Sequence, residues 1–210
     1  MTISEKRRQK KLAEKKKKRK LSTRSASSNA SLHHAVASYA HYPIHECLIP
    51  NNLFETGMGS IIWARQTPMK EIAVSAFLVD TFCLGVKNAL FHVTTLADYE
   101  NNLKPHFVSL SNSNVLEGLH PACARKLVEG AVHYAKELGF TPHPDYRMAK
   151  GIFGDVDTSL CFTTFTYGKQ GQPLYMRGPN ESLVQAKRIV ERLNRVCGPG
   201  NFNYIIAGQP

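Results

Sequence analysis

No Cys-x-x-Cys pair occurs among the five cysteines of this 210-residue chain, Cys47, Cys83, Cys123, Cys161 and Cys197. That excludes the common zinc-ribbon and dithiol motifs, and an odd number of thiols with mostly apolar neighbours reads as reduced cysteine in a reducing compartment. There is no Gly-x-Ser-x-Gly elbow and no Gly-x-x-x-x-Gly-Lys-Ser/Thr loop, so neither a hydrolase nucleophile of that class nor a P-loop phosphate cradle is encoded. Behind the basic N-terminus stands no apolar h-region, only Leu12 and Leu21 isolated among Lys and Ser, and a secretory signal is not expected. The longest apolar stretch, Glu71 to Val93, is broken by Asp80 and Lys87, which argues against a membrane span of about 20 residues. A soluble, intracellular protein is the expectation, cytoplasmic or, in a eukaryote, nuclear through the Lys15 to Lys20 run.

What the chain does have is charge, unevenly placed. The formal net charge is +11, and residues 1–24 hold 12 Lys/Arg against Glu5 and Glu14, which leaves 15 against 14 for the remaining 186 residues. The excess belongs to an arm whose cations are Lys6, Arg7, Arg8, Lys10, Lys11, Lys15, Lys16, Lys17, Lys18, Arg19 and Lys20, with Arg24 just beyond. So dense a block repels itself and buries nothing, so it is expected to stay solvated until it meets a polyanion. Each cation that neutralises a phosphate releases counterions, which gives affinity independent of base sequence and steeply dependent on salt. The arm holds no aromatic residue on which a base can stack, so discrimination would fall to the body. The competing reading is a solubilising tail with no dedicated partner.

Residues 21–38, rich in Ser, Ala and Asn, read as linker, so the division is a disordered arm over 1–38 and a globular domain over 39–210. Within the body, Glu71 to Val93 carries so little charge that it must be buried on both faces, and it is taken as the central strand with a helix or turn after Gly85. Ser60 to Leu84 reads as a β-hairpin turning at Thr67-Pro68-Met69-Lys70, and Glu46 to Ile49 as a short strand. Thr95 with Asp98 resembles a capping box, opening a short helix stopped by Pro105. The clearest helix starts at Pro121, has Cys123, Leu127, Ala131, Tyr134 and Leu138 on one face and ends at Gly139. Thr141 to Lys150 reads as a loop. Leu160 to Tyr167 alternates like a strand and is expected to pair with Pro173 to Met176 as a second hairpin. Asn180 is the expected N-cap of a last helix ended by Gly198, before a strand over Phe202 to Ile206. The grouping of hairpins and helices, without regular βαβ alternation, gives an α+β fold: one compact domain with two β-hairpins, a mainly antiparallel sheet and three to four helices packed on it.

Candidate chemistry is sparse. Asp155-x-Asp157 after Gly154 is the best carboxylate pair for Mg²⁺ or Mn²⁺, which phosphoryl-transfer or nuclease chemistry requires, although Gly-Asp-x-Asp is more often a turn bonded to its own backbone. Asp80 and Lys87 stand out against apolar surroundings, where a charge needs a partner, and with His120 they complete a hypothetical nuclease constellation. His41, His45 and Cys47 lie close in sequence, as do His120 and Cys123, but neither group supplies four zinc ligands. Gly178-Pro179-Asn180, before the last helix, can offer N–H groups to an anion. No helix-turn-helix, zinc-finger, basic-zipper or RNA-module signature is present. The favoured function is a nucleic-acid-associated protein, with RNA or the ribosome as partner. The alternatives are a metal-dependent nuclease or phosphoryl hydrolase using Asp155 and Asp157, or a protein-interaction module with an incidental tail.

Overall fold

In the computed structural model, residues 35–110 and 115–206 are described. The arm and the Ser/Asn segment at 111–114 lie outside them. The scaffold is an antiparallel sheet formed by β1 (Ile44–Pro50), β2 (Met58–Gln66), β3 (Glu71–Asp80), β4 (Gly85–Thr95) and β5 (Leu116–Gly118), in the order β4-β3-β2-β1-β5. A four-residue helix, α1 (Leu53–Thr56), links β1 to β2. The fold is α+β, as the grouping of elements predicts. β2 and β3 form the expected hairpin, pairing Met58 with Asp80 and Gln66 with Ile72, with Lys70 at φ 60° in the tight turn between them.

The central strand is β2, not the Glu71 to Val93 stretch, which folds instead into two strands with a turn over 81–84. β3 is buried along nearly all its length, as its composition requires. Its neighbour β4 forms one edge of the sheet, and no helix follows Gly85. Gly85 opens β4 at φ 67°, with its α-carbon turned so closely against the helix that begins at Pro121 that a β-carbon would lie 2.8 Å from Ala131 O. Only glycine fits that approach.

Both faces of the sheet are covered. On one lies the predicted helix, α3 (Pro121–Glu137), with the short helix α4 (Tyr146–Ala149) and the 3₁₀ turn Lys150–Phe153; they pack Leu127, Val128, Ala131, Ala149 and Phe153 against Ile61, Trp63, Phe77 and Val79. α4 replaces the loop expected over 141–150. Arg65, 5% exposed, holds this layer in place by donating to the carbonyls of Tyr42, Ile152 and Phe153, and Ser75 Oγ donates to Ala149 O. A buried guanidinium is tolerable here because three carbonyls accept from it. The core extends to the first described residues, since Val36 is buried in it.

The other face carries α2, in which Leu96–Asp98, a π-helical turn Tyr99–Leu103 and Lys104–Leu110 run on as one helix. Thr95 Oγ1 caps it by accepting from Asp98 N, but Pro105 does not stop it. In the π turn Lys104 N–H reaches back to Tyr99 O, and the widened turn just before the proline accommodates a ring with no N–H to give. Tyr99, Leu103 and Phe107 cover Leu48, Ile62, Ala64, Val74 and Ala76.

A smaller layer closes the end of the fold. β6 (Leu174–Met176) pairs in parallel with β7 (Asn203–Ile205), and α5 (Leu183–Cys197) crosses between them, burying Ala186 and Leu193 with Tyr175, Cys83 and Leu138. The N-cap of α5 is Ser182, not Asn180: Ser182 Oγ accepts from Gln185 N while the Gln185 side chain accepts from Ser182 N. This reciprocal pair satisfies two helix-start donors that Asn180 is too far upstream to reach.

The second hairpin does not form. Thr158–Leu160 is a 3₁₀ turn, residues 161–167 run extended without a ladder, and Lys169 and Gln172 make a single bridge. The alternating side chains of the stretch are used differently. Phe165 and Tyr167 pack onto α3, while Phe162, 94% exposed, faces outward. Cys123 and Cys161 are joined in a disulfide, with α-carbons 5.0 Å apart, which corrects the reading of all five cysteines as thiols. An odd count leaves one cysteine over but does not prevent two from meeting once α3 and the extended segment are packed side by side. Cys47 and Cys83 are buried thiols, and burial pushes Cys47 up to about 12 despite the nearby Arg65 guanidinium.

Candidate functional site

A cleft of about 450 Å³ opens on the outer sheet face between α2 and the turn preceding α5. Its floor is made by Met58 and Ser60 of β2, Ala76 and Leu78 of β3 and Asn88 and Leu90 of β4. Phe107 forms one wall and Gly178 to Glu181 the other. A β-bulge shapes the polar end. Leu78 pairs with Asn88, but the next pair is Val79 with Val86, so Lys87 is the extra residue on β4. A bulge re-aims side chains. Here Val86 and Ala89 both stay in the core while Lys87 and Asn88, between them, both line the cleft.

Lys87 Nζ lies 2.7 Å from Glu181 Oε1, and the two side chains are 16% and 18% exposed. The other carboxylate oxygen accepts from Tyr175 Oη at 2.6 Å and from Gly178 N at 3.2 Å. Burial works against the Glu181 charge, but the donors Lys87, Tyr175 and Gly178 outweigh it and hold the group below the usual carboxylate range. Burial pushes the Tyr175 phenol up, and its bond to Glu181 reinforces the shift. Gly178 N–H therefore serves Glu181 rather than a bound anion. Asp80, 2% exposed, sits behind this pair and accepts from Phe82 N and Cys83 N at 2.9 Å each, holding the β3–β4 turn. Burial raises its carboxyl to about 6, against the pull of Lys87 and the turn N–H groups.

Of the residues singled out in the sequence, the fold brings together Asp80, Lys87 and the Gly178–Asn180 turn and leaves the candidate carboxylate pair and the histidines elsewhere. Asp157 is the N-cap of the 3₁₀ turn, accepting from Ser159 N at 2.8 Å and Ser159 Oγ at 2.6 Å, and these bonds hold its carboxyl low. Asp155 is exposed on the same loop, which Arg125 clamps through the carbonyls of Gly154 and Val156. His120 caps α3 by accepting from Ala122 N. Its sequence neighbour Cys123 is occupied by the disulfide. Among the described residues the one grouping of three metal-capable side chains is His45, Glu46 and Glu100, and it includes neither aspartate of the pair. Lys104 fills that grouping, 2.9 Å from Glu46 Oε1 and 3.5 Å from Glu100 Oε2, and Tyr99 Oη donates to Glu46. The cation there is an ammonium.

Glu181 and Tyr175 were missed in the sequence, and no local signal marks them; they matter through Lys87, some ninety positions upstream. The cleft combines an apolar floor with hydrogen-bond donors at one end, an arrangement for holding a molecule. No helix among the described residues is long and apolar enough to cross a membrane. No protein-family model matches the chain, and neither a curated protein nor a solved structure resembles it at a significant level.

Proposed function

We propose that this is a nucleic-acid-associated protein, with RNA or the ribosome as partner, in which the arm supplies phosphate contacts and the α+β body is the platform that carries it. The observation that supports this reading is the charge partition: 12 of the 27 Lys/Arg fall in the first 24 residues, and the body is almost neutral. A second cationic surface agrees with it. Lys187, Arg188, Arg192 and Arg195 are exposed on α5, where positions 188, 192 and 195 share a face, with Glu191 as the single acid among them. Arg192 is partly committed, donating to Gly139 O, so the face offers phosphates Arg188 and Arg195, with Lys187 beside it.

The experiment is a salt series on labelled single- and double-stranded RNA and DNA, with full-length protein and a variant lacking residues 1–24. Each phosphate contact contributes about −0.7 to −0.9 to the slope of log affinity on log salt. If six or more arm cations engage, the slope is steeper than about −4 and collapses when the arm is removed. An unchanged slope in the truncated protein would refute the reading. A reduced but finite slope abolished by Arg188→Gln with Arg195→Gln would assign the remainder to α5.

A further inference from the structure

We infer that the cleft between α2 and the Gly178–Glu181 turn binds an uncharged amphiphile, a small molecule with an aliphatic or aryl body and a carbonyl head such as an amide or ester. This is independent of the nucleic-acid reading, since the arm takes no part in it.

The inference rests on what the cleft leaves unpaired. Both oxygens of the Glu181 carboxylate are engaged, by Lys87 on one side and by Tyr175 and Gly178 on the other, so most of its acceptor capacity is already taken. Lys87 has three ammonium hydrogens and, among the described residues, one partner. Asn88 uses its carbonyl oxygen to accept from Ala89 N, which leaves its NH₂ group to donate. With Ser60 Oγ, the polar end is a cluster of donors at the edge of an apolar floor, and it matches a ligand oxygen with lone pairs.

Charge decides which oxygen. Lys87 is already neutralised by Glu181, and the Asp80 carboxyl lies close enough behind it to interact electrostatically. A carboxylate head would bring a second or third negative group to one ammonium, whereas an uncharged carbonyl accepts the same hydrogen bonds without that repulsion. The body of the ligand meets Leu78, Leu90, Ala76 and Phe107. Leu90, 38% exposed, is a large apolar side chain left open to the cleft, while Val86 and Ala89 on the same strand are buried. The volume of about 450 Å³ falls within the range of about 300–1,000 Å³ usual for small-molecule sites.

The test titrates the full chain with octanamide and, in parallel, octanoate, followed by two-dimensional NMR and calorimetry. Expected are saturable shifts at Ser60, Leu78, Asn88 and Leu90 with octanamide, and binding of octanoate at least fivefold weaker. Lys87→Met should weaken octanamide about tenfold, the effect of losing one charge-assisted donor. Because Lys87→Met also uncovers Glu181, Leu90→Trp serves as the second variant. It fills the cleft from a half-exposed position, leaves the ion pair in place and should abolish binding in a folded protein. Absence of shifts at these residues up to the solubility limit would overturn the inference. So would octanoate binding more tightly than octanamide, or undiminished binding by Leu90→Trp.

Discussion

Gly130 sits in the interior of α3, where exchanging glycine for alanine ordinarily stabilises a protein by about 1 kcal/mol. The structure predicts the opposite sign. A β-carbon at Gly130 would stand 2.2 Å from Tyr167 Oη and 2.9 Å from its Cζ, and the ring cannot simply swing aside. Tyr167 Oη donates to Leu127 O at 3.0 Å, and the ring stacks on Tyr134 with centroids 5.7 Å apart. Displacing it forfeits a hydrogen bond of about 1 kcal/mol, an aromatic pair of about 1 kcal/mol and burial of a half-covered ring worth about 1–2 kcal/mol. Set against the helix-propensity gain, Gly130→Ala should destabilise by about 2–3 kcal/mol. In a Tyr167→Ala background the obstacle is gone, and the same substitution should stabilise by about 1 kcal/mol. Urea unfolding of the four proteins, compared at equal m-values, reads both numbers. A stabilising Gly130→Ala in the wild-type background, or an equal effect in both backgrounds, would refute the seating of residues 161–167 on α3.

Three further outcomes follow from the same geometry. The Asp80 carboxyl rises from 3.8 to about 6 on folding, so the folded state holds its proton more tightly. Its contribution to stability is therefore complete below pH 4 and is lost as pH rises through about 6, amounting to about 3 kcal/mol. Asp80→Asn keeps the acceptor for the turn N–H groups, and a denaturation series from pH 4 to 7 should show that loss in the wild type and not in the variant. Reduction of Cys123–Cys161, or replacement of both by Ala, should cost about 4 kcal/mol on the loop-closure estimate for a separation of 38 residues, with hydrogen exchange accelerating over 158–167. Unchanged exchange there would show that packing alone holds the segment. Arg65→Met should cost about 3 kcal/mol, because the carbonyls of Tyr42, Ile152 and Phe153 lose their donor, and Arg65→Lys should not restore the loss, since an ammonium lacks the guanidinium fork. A lysine variant as stable as wild type would show the fork to be unnecessary.

The features legible in the sequence are those whose cause is local. The β2–β3 hairpin follows from two apolar runs and a turn at 67–70, and α3 from a 3.6-residue stripe opened by Pro121. The Thr95 cap and the stop at Gly198 follow from hydrogen bonds spanning at most four residues. Two local expectations failed, the Asn180 cap and the stop at Pro105, each to a neighbouring hydrogen bond; the other failures depended on a distant partner. β4 was obscured because the Lys87 bulge interrupts the alternation of the strand, and a bulge is visible only against the register of β3. The alternating stretch at 161–167 has the pattern of a strand, but α3 took its inward side chains and β7 took the partner it was assigned, in a parallel pairing that needs the whole of α5 as its crossover. Sequence alone was enough for the periodic elements, the caps at Thr95 and Gly198 and the separation of a cationic arm from a neutral body, because these are set by neighbours within a turn or two. Tertiary packing alone brought Lys87 to Glu181 and set Met58, Leu78, Leu90, Phe107 and Pro179 around one cleft. Those residues come from separate segments of the chain, and what joins them is packing across a sheet face, which no short window of sequence contains.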